Sequence, residues 1–204
     1  MNKLITFEGI DGCGKTTQIK KIAEFLKSNN EKYVVLREPG NTLLSEKIRN
    51  ILLNPESNIN DISETLLFLS ARSQLVSEYI EKAINENKFI LCDRYIDSTI
   101  AYQGYGRGID LNILYELNKF ATKGIFPDLT LIFDLDLDVA VSRISKNKDR
   151  IESSGKKFLN KVKNGYLEMS KTESRYQLIH SKTKSIDEIH REVINKFKQL
   201  YWSV

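Results

Sequence analysis

The sequence has little cysteine and no long apolar run. Only two of its 204 residues are cysteines, Cys13 and Cys92. So few thiols argue against the disulfide framework of small secreted domains, and they predict the reducing cytoplasm as the compartment. No apolar stretch approaches the roughly 20 residues that cross a bilayer, so we expect no membrane contact. The first residues already form a strand-like run, which predicts that no signal peptide is present.

The chain also lacks a strong charge of one sign. Its 31 Lys and Arg residues against 27 Asp and Glu residues leave a net charge of +4. The basic residues are scattered rather than arranged in a stripe, so we expect no nucleic-acid partner. Such a mild excess suits a protein that handles small anions. Internal repeats and low-complexity linkers are absent as well, and the length predicts a single domain over residues 1–204.

Short apolar and β-branched runs alternate with helical patterns along the chain. The strands that we predict cover residues 3–8, 33–37, 89–93, 129–134 and, with a weaker pattern, 176–180. Strands separated by helices need crossover connections, which produce parallel sheets with helices on their faces. The predicted fold class is therefore α/β, with a five-stranded parallel sheet flanked by helices.

Three helices carry start or stop signals. Asp61 and Glu64 have the spacing of a capping box, at the start of an amphipathic pattern that runs to about residue 85. Ser185 and the glutamate three residues later have the same spacing, ahead of a final helix that reaches about residue 201. Another helix, over 113–122, is predicted to end at Gly124.

The strongest local signal is the segment GIDGCGKT at residues 9–16. It matches the phosphate-binding pattern G-x-x-x-x-G-K-[ST]. A predicted strand precedes it, and apolar residues at helical spacing follow it, which is the context that a genuine phosphate loop requires. A glycine-rich turn that matches by chance is the alternative, and this context argues against it. The residues of the predicted nucleotide-binding loop are Gly9, Ile10, Asp11, Gly12, Cys13, Gly14, Lys15, Thr16 and Thr17.

The loop has a clear physical purpose. Its glycines let the backbone approach a polyphosphate closely, because they lack Cβ atoms. Backbone N–H groups and the N-terminus of the next helix then point at the anion. Lys15 would reach the terminal phosphates, and the Thr16 hydroxyl would ligate Mg²⁺. The segment therefore predicts binding of a nucleoside triphosphate.

Polar residues follow two other predicted strands. Asp93 and Arg94 come at the end of an apolar strand, where open α/β sheets bind their ligands. Asp93 could serve the metal and Arg94 a substrate phosphate, whereas a structural ion pair is the alternative. Glu38 follows the second strand in the same way, although an ordinary proline–glycine turn explains that segment equally well.

A pocket for a planar base is suggested by two residues on the long helix. Phe68 and Arg72 are four residues apart and share one face, so the ring could stack on a base while the guanidinium donates to a carbonyl. Taken alone, the pair fits a core Phe with an Arg at its rim better. Thr99 or Gln103 could recognise a base edge, and Tyr102 could pack on a sugar. Helix capping and core packing explain these residues too.

The segment 146–157 is polar, basic and contains a glycine, and it lies between two helical patterns. It predicts a lid that closes over phosphates and brings in a cation. The alternative is a solvated loop.

Together these motifs resemble the thymidylate kinases, P-loop nucleoside monophosphate kinases that phosphorylate dTMP. The resemblance runs from the first strand to the last helix. It is carried by FEGIDGCGKTT at 7–17, REPG at 37–40, Phe68 with Arg72, DRY at 93–95, Ser98, AYQG at 101–104 and FPDLT at 126–130. It implies a three-layer P-loop NTPase fold with a short lid, ATP as phosphoryl donor, Mg²⁺ as cofactor, dTMP as acceptor and a homodimer.

The resemblance also implies roles for single residues. Lys15 and Thr16 would hold the ATP phosphates and Mg²⁺, and Asp11 and Asp93 would organise the metal and the acceptor. Arg94 would bind the dTMP phosphate with help from Arg49. The remaining implied roles concern the nucleoside. Phe68 would stack on thymine, and its edge would be recognised by Arg72, Thr99 and Gln103. Tyr102 would lie against the deoxyribose and disfavour a 2′-hydroxyl, and Glu38 would line the sugar and metal region.

The family has two arrangements for its catalytic arginine. One places a basic residue inside the phosphate loop, but residues 10–13 contain none here. The chain is similar instead to the bacterial-type arrangement, in which lid arginines supply the charge. Arg150 is the first candidate and Arg143 the second. One departure from the family is Asn41, which replaces a usual glycine and is compatible with a left-handed turn.

The predicted function is an ATP:dTMP phosphotransferase. One rival is a kinase for dUMP, another monophosphate or a nucleoside. A second rival is a GTPase-type switch, which would need an Asn-Lys-x-Asp segment. Residues 147–149, Asn-Lys-Asp, lack the spacer.

Overall fold

A computed structural model describes residues 1–143 and 149–202 of the chain. Its centre is one sheet of five parallel strands in the order β2-β3-β1-β4-β5. The strands are β1 (Leu4–Glu8), β2 (Tyr33–Arg37), β3 (Phe89–Asp93), β4 (Leu129–Asp134) and β5 (Tyr176–His180). All five predicted strands are present and differ from the prediction by at most one residue. The predicted α/β class is therefore confirmed.

Helices cover the sheet. They are α1 (Lys15–Ser28), α2 (Leu43–Leu53), α3 (Asp61–Leu75), α4 (Glu81–Asn85), α5 (Ile96–Thr99), α6 (Leu111–Ala121), α7 (Leu137–Arg143), α8 (Lys156–Met169) and α9 (Ile186–Tyr201). A π-helical turn, Val76–Ile80, joins α3 to α4, and a π-helical segment, Ile100–Gly106, continues α5. The predicted helix over 61–85 is thus continuous but not purely α-helical. None of the helices in the described ranges is long and apolar enough to span a membrane.

The central strand β1 shows why the molecule has three layers. Its five residues are all buried, as expected for a strand covered on both faces. Successive side chains point to opposite faces. Accordingly, Leu4 packs in a cluster with Leu75 and Ile80, whereas Ile5 belongs to the cluster that contains Ile22 and Leu26. Apolar helices are therefore required on both sides of the sheet.

Two helix caps were predicted, with different outcomes. The capping box of Ser185 and Glu188 is confirmed, because each side chain accepts the other's backbone N–H. The capping box of Asp61 and Glu64 is wrong. Asn60 caps α3 by accepting the N–H of Ser63 at 2.9 Å, and Glu64 turns inward to meet cations from other elements. The three-residue spacing of Asp61 and Glu64 gives no sign of these long-range ion pairs of Glu64.

The parallel register positions the functional loops. Phe7 of β1 pairs with Asp93, where β3 ends, and Glu8, where β1 ends, pairs with Ile132 of β4. The ends of these three strands therefore lie within a few residues of one another. The backbone N–H of Glu38 donates to the carbonyl of Asp93 at 2.9 Å, which brings the end of β2 to the same edge. The segments after β1, β2 and β3 therefore meet at the carboxyl edge of the sheet, where open α/β sheets bind ligands.

Candidate active site

The phosphate loop connects β1 to α1 and packs tightly on its neighbours. Gly9 has a φ of 132°, and a Cβ there would lie 2.7 Å from the backbone oxygen of Phe133. Gly12 has a φ of 78°, and a Cβ would overlap the carbonyl of Ala140 on α7. Both positions exclude larger residues for two reasons, backbone conformation and space. The loop thus keeps its backbone turned toward the cavity that it lines.

Lys15 lies at the start of α1 and reaches back over this loop. Its Nζ donates to the carbonyls of Gly9 at 3.0 Å and Ile10 at 3.1 Å, and it lies 3.8 Å from a carboxylate oxygen of Asp11. The side chain is buried. The ammonium is therefore held at the loop, where it can pair with terminal phosphate oxygens.

Oxygen ligands for a metal lie next to the loop. The hydroxyl of Thr16 donates to Oδ2 of Asp93 at 3.3 Å. Mg²⁺ at nucleotide sites uses one or two protein oxygens together with phosphates and waters, so this pair fits it. The described residues contain no cluster of three or more His, Cys, Asp or Glu side chains that could hold a metal alone. Asp11, the third predicted ligand, is paired with Arg94 at 2.7 Å.

Two cavities adjoin at this edge of the sheet. The larger, about 360 Å³, runs along the phosphate loop and includes Gly12, Lys15, Thr16, Asp93 and Arg143 in its lining. The other, about 180 Å³, is lined by residues of the predicted base pocket. Four residues line both cavities: Asp11, Glu38, Arg49 and Arg94. The shared boundary thus carries two guanidinium groups, which suits a phosphate passing between two bound molecules.

Arg94 is the most constrained residue at this boundary. It has a left-handed φ of 70°, which is unusual for a residue with a side chain. Its guanidinium contacts Asp11 at 2.7 Å, the hydroxyls of Ser98 and Tyr166 at 3.3 Å each, and the face of the Tyr102 ring. Burial alone would raise the pKa of Asp11, but the charges of Arg94 and Lys15 outweigh it and lower that pKa to about 2. The Asp11 carboxylate therefore stays ionised beside the cation.

Behind Arg94 lies Glu8, a fully buried residue to which sequence reasoning gave no role. Its carboxyl accepts from the backbone of Tyr95 at 2.7 Å, from Ser98 at 2.6 Å and from Tyr166 at 2.8 Å. Burial and the nearby charge of Asp97 raise the pKa of Glu8 to about 7. Tyr166 was also missed. Its only sequence signal is an aromatic residue on the helical pattern of α8, which packing explains equally well.

The base pocket brings together all six residues predicted for it. Its cavity is lined by Glu38, Phe68, Arg72, Thr99, Tyr102 and Gln103. Phe68 is half-buried and Arg72 is only 2% exposed. The sequence left open whether Phe68 and Arg72 belong to the core or line a pocket. The structure combines the two, because Arg72 is buried and lines the cavity at the same time.

Arg72 is held by a ring of acceptors. Its Nε donates to Glu38 at 2.7 Å, and its Nη2 donates to the carbonyl of Tyr95 at 2.9 Å. Its Nη1 meets the Thr99 hydroxyl at 2.7 Å and Oδ1 of Asn118 at 2.5 Å. Thr99 therefore supports Arg72 directly, in addition to lining the cavity. Asn118 was missed, since nothing in the pattern of α6 distinguishes it.

Two buried polar atoms in this pocket are left for a ligand. Among the described residues, neither Oε1 of Glu38 nor the hydroxyl of Tyr102 has a hydrogen-bond partner. Buried polar groups in native proteins are almost always paired. Both residues line the cavity, so a polar ligand would satisfy them.

The two candidate arginines lie in different places. Arg143, at the end of α7, donates to the carbonyl of Gly12 at 3.3 Å and lines the phosphate-loop cavity. Arg150 donates to the carbonyl of Leu52 at 2.8 Å and to Glu64 at 2.7 Å. The structure thus brings Arg143 to the loop and holds Arg150 at α3, in reverse of the predicted order.

The predicted lid, 146–157, is partly visible. Residues 146–148, which include Asn147 and Lys148 of the rival GTPase segment, lie outside the described residues. Residues 149–151 form a turn, Glu152–Ser154 a 3₁₀ turn, and Gly155 precedes α8. Asp149, Ile151 and Glu152 line the base cavity.

The turn after β2 is kept despite the replacement of a usual glycine by Asn41. Asn41 adopts a φ of 70°, and its side-chain oxygen accepts the N–H of Arg37.

Comparison with known proteins decides among the families that such a site could belong to. A family model described as thymidylate kinase matches residues 7–193. The chain belongs to the thymidylate kinase family. Curated thymidylate kinases from Thermosipho africanus and Kosmotoga olearia are 47% and 43% identical to it. The first alignment covers 93% of this chain and 94% of the relative, and the second covers 95% and 94%.

A solved structure extends the likeness to three dimensions. The crystal structure of thymidylate kinase from Ehrlichia chaffeensis superposes with a TM-score of 0.78 at 36% identity, and the match covers 96% of this chain and 97% of that chain. The likeness therefore extends over nearly the whole of both chains. The P-loop NTPase fold implied by the thymidylate kinase resemblance is therefore confirmed.

Proposed function

We propose that this chain transfers the γ-phosphoryl group of ATP to dTMP, giving dTDP and ADP, with Mg²⁺ as cofactor. The observation that carries the proposal is the pair of adjoining cavities, one on the phosphate loop and one on the base pocket, with Arg49 and Arg94 between them. A phosphoryl donor and an acceptor would meet there. Family membership supports the same reaction.

On the donor side, the loop from Gly9 to Thr17 would hold ATP through its backbone N–H groups, with Lys15 at the terminal phosphates. Thr16 and Asp93 would hold Mg²⁺, with Asp11 close by. When bound, the metal neutralises charge on the phosphates. Asp11 has a second task, because its ionised carboxylate orients Arg94 at 2.7 Å.

On the acceptor side, Arg94 and Arg49 would bind the dTMP phosphate. Phe68 would stack on thymine, while Arg72 and Gln103 recognise its edge, and Thr99 supports Arg72 at 2.7 Å. The free oxygens of Glu38 and Tyr102 would face the deoxyribose. A 2′-hydroxyl would crowd the Tyr102 ring, which is buried and packed against Phe158 and Tyr166.

A cation near the transferred group would stabilise charge on its equatorial oxygens. Arg143 is suited to this role because it already contacts the loop at Gly12. Arg150 would take part only after it leaves Glu64. The protein does little covalent chemistry in this scheme. It aligns the acceptor oxygen with the γ-phosphoryl group and excludes water.

We also propose a cytoplasmic homodimer that forms through α2, α3 and α6. Helix α3 contacts both of the others. All three helices expose large apolar side chains, which singly are ordinary, and we propose that association of two chains covers them. These residues are Leu43, Ile51, Ile62, Leu66, Ile113 and Phe120. Sedimentation velocity at micromolar concentration tests this, and a monomer would contradict it.

The proposed cytoplasmic location rests on the cysteines. The free thiols of Cys13 and Cys92 suit a reducing compartment.

The proposed activity is tested with a coupled assay of ADP release, using ATP, Mg²⁺ and equal concentrations of dTMP, dUMP, dCMP, dGMP, UMP, AMP and thymidine. We expect strong preference for dTMP. Activity spread over other monophosphates would retain a kinase and reject the thymine assignment. Failure to release ADP with any acceptor would reject the phosphotransferase itself.

A further inference from the structure

Glu64 is a fully buried carboxylate that belongs to neither cavity lining, yet it contacts residues of both the base pocket and the lid. Its Oε1 accepts from Nε2 of Gln103 at 2.9 Å and from Nε of Arg107 at 3.2 Å. Its Oε2 accepts from Nη2 of Arg107 at 3.0 Å and from Nη2 of Arg150 at 2.7 Å. Four donors from two other parts of the chain therefore converge on this one side chain.

These contacts determine which way the Gln103 amide faces. An ionised carboxylate can only accept hydrogen bonds, so the group that Gln103 turns toward Glu64 must be its NH₂. Burial raises the pKa of Glu64, but hydrogen bonds from Arg107 and Gln103, with the charge of Arg107, outweigh it and lower that pKa overall. Glu64 is thus ionised at neutral pH. The carbonyl oxygen of Gln103 is left for the cavity, and no described residue donates to it.

We propose that Glu64 is a positioning residue for base selection, because it forces Gln103 to present a hydrogen-bond acceptor to the bound base. This inference rests on the proposed activity toward dTMP. Thymine carries a donor at N3–H and an acceptor at O4, whereas cytosine carries an acceptor at N3 and a donor at its 4-amino group. The acceptor of Gln103 beside the donors of Arg72 matches thymine and opposes cytosine at both positions.

Replacing Glu64 by Gln turns this into a directional test. The new side chain has one oxygen and one NH₂, and neither arginine can accept from the NH₂. The oxygen is expected where Oε2 lies, because it keeps the two shorter contacts there, with Nη2 of Arg107 and of Arg150. The NH₂ then faces Gln103 and gives up the longer contact with Nε of Arg107. Gln103 would then rotate its carbonyl toward residue 64 and present its own NH₂ to the base.

The experiment measures kcat/KM for dTMP and dCMP on the same preparation of each variant. The ratio of the two values is independent of the fraction of folded enzyme, so loss of stability cannot change it. For Glu64→Gln we expect the dTMP:dCMP ratio to fall about tenfold or more, the size expected when a hydrogen-bond partner is mismatched. An unchanged ratio would overturn the inference.

The matched control is Asp61→Asn. Asp61 lies one turn before Glu64 on α3 and also pairs with Arg107, at 3.4 Å, but in the described structure it contacts neither Gln103 nor Arg150. The control removes the same charge from the same helix, and we expect a ratio within about twofold of wild type. A fall as large as that of Glu64→Gln would also overturn the inference, because loss of charge near Arg107 would then explain it.

Two more variants guard against failure to fold. In Glu64→Gln with Arg107→Met, the carboxylate and one of its two cations are removed together, which leaves only Arg150 without its carboxylate partner, and the methionine cannot accept from the new amide. The dTMP:dCMP ratio is expected to fall as in the single variant.

Gln103→Met keeps the side-chain length without an amide. A dTMP:dCMP ratio equal to that of wild type in this variant would overturn the inference. If wild type itself does not prefer dTMP, the proposed function fails. A wild-type preference that survives Glu64→Gln rejects only the role of Glu64.

Discussion

The phosphate end and the base end of the site each rest on one fully buried glutamate, and the pKa values of the two are shifted in opposite directions. Glu8 is surrounded by neutral donors, a backbone N–H and the hydroxyls of Ser98 and Tyr166, and its pKa is raised to about 7. Glu64 is equally buried but faces Arg107 and Arg150, and its pKa is lowered. Burial alone therefore does not decide the pKa of a carboxyl, because it prevails at Glu8 but is outweighed by the partners of Glu64.

This difference suits the task at each end. At the phosphate end, Glu8 contacts the hydroxyls of Ser98 and Tyr166 that hold Arg94, and the ionised Asp11 pairs with the guanidinium directly at 2.7 Å. At the base end, Glu64 neutralises two arginines and orients an amide. Glu8 thus acts on its arginine through neutral hydroxyls, whereas Glu64 pairs with its two arginines directly.

The largest expected effect lies at the phosphate end. Replacing Lys15 by Ala removes the ammonium that we propose pairs with the terminal phosphates of ATP, and we expect kcat to fall by about 10²-fold to 10³-fold. The coupled assay measures this at saturating ATP and dTMP. The control is Lys21→Ala on the outer face of α1, where Lys21 pairs only with exposed Asp187 among the described residues. Turnover close to wild type in Lys15→Ala would contradict the assignment of the loop.

Next in size is the contrast between the two arginines. For Arg143→Ala we expect kcat to fall about 10²-fold with little change in the KM of dTMP, because Arg143 lies at the phosphate loop. For Arg150→Ala we expect chiefly a higher KM for dTMP, since its pairing with Glu64 holds the residues that line the base cavity. Steady-state kinetics on both variants distinguishes them. The reverse pattern would restore Arg150 as the catalytic cation.

The last expected effect concerns stability rather than turnover, and it is a difference in how the free energy of unfolding depends on pH. The folded pKa of Glu8, about 7, exceeds its ordinary value of 4.5. The contribution of Glu8 to stability is therefore full below pH 4.5 and is lost as the pH rises to about 7. Relative to wild type, Glu8→Gln should gain up to about 3 kcal/mol of unfolding free energy between those limits.

Glu64→Gln provides the opposite case. The pKa of Glu64 is lowered on folding, so its contribution is present above pH 4.5 and is lost as the pH falls through the folded pKa. Its stability difference from wild type should stay flat from pH 5 to 8. Urea unfolding at several pH values measures both variants. Parallel curves for the two would show that the two buried carboxyls are protonated alike.

Much of the fold and part of the site were predictable because their causes are local. The apolar runs of β1, β3 and β4 determine strands that are buried on both faces, and the glycines of 9–14 determine a loop that approaches phosphate. The cap at Ser185 follows from residues three apart. The wrong cap at Asp61 has a different origin, since Glu64 meets partners about 40 and 86 positions away in the chain.

Sequence patterns predict the order of the strands along the chain, the phosphate loop, the family and the set of residues that line the smaller of the two cavities. How those side chains are used depends on the tertiary structure. It placed Arg143 rather than Arg150 at the loop, made Thr99 and Asn118 supports for Arg72, and revealed Glu8 and Glu64 as the buried acceptors behind the two ends of the site. The physical reason is range: backbone propensity acts over a few residues, whereas burial, charge pairing and hydrogen-bond direction depend on partners that only folding brings together.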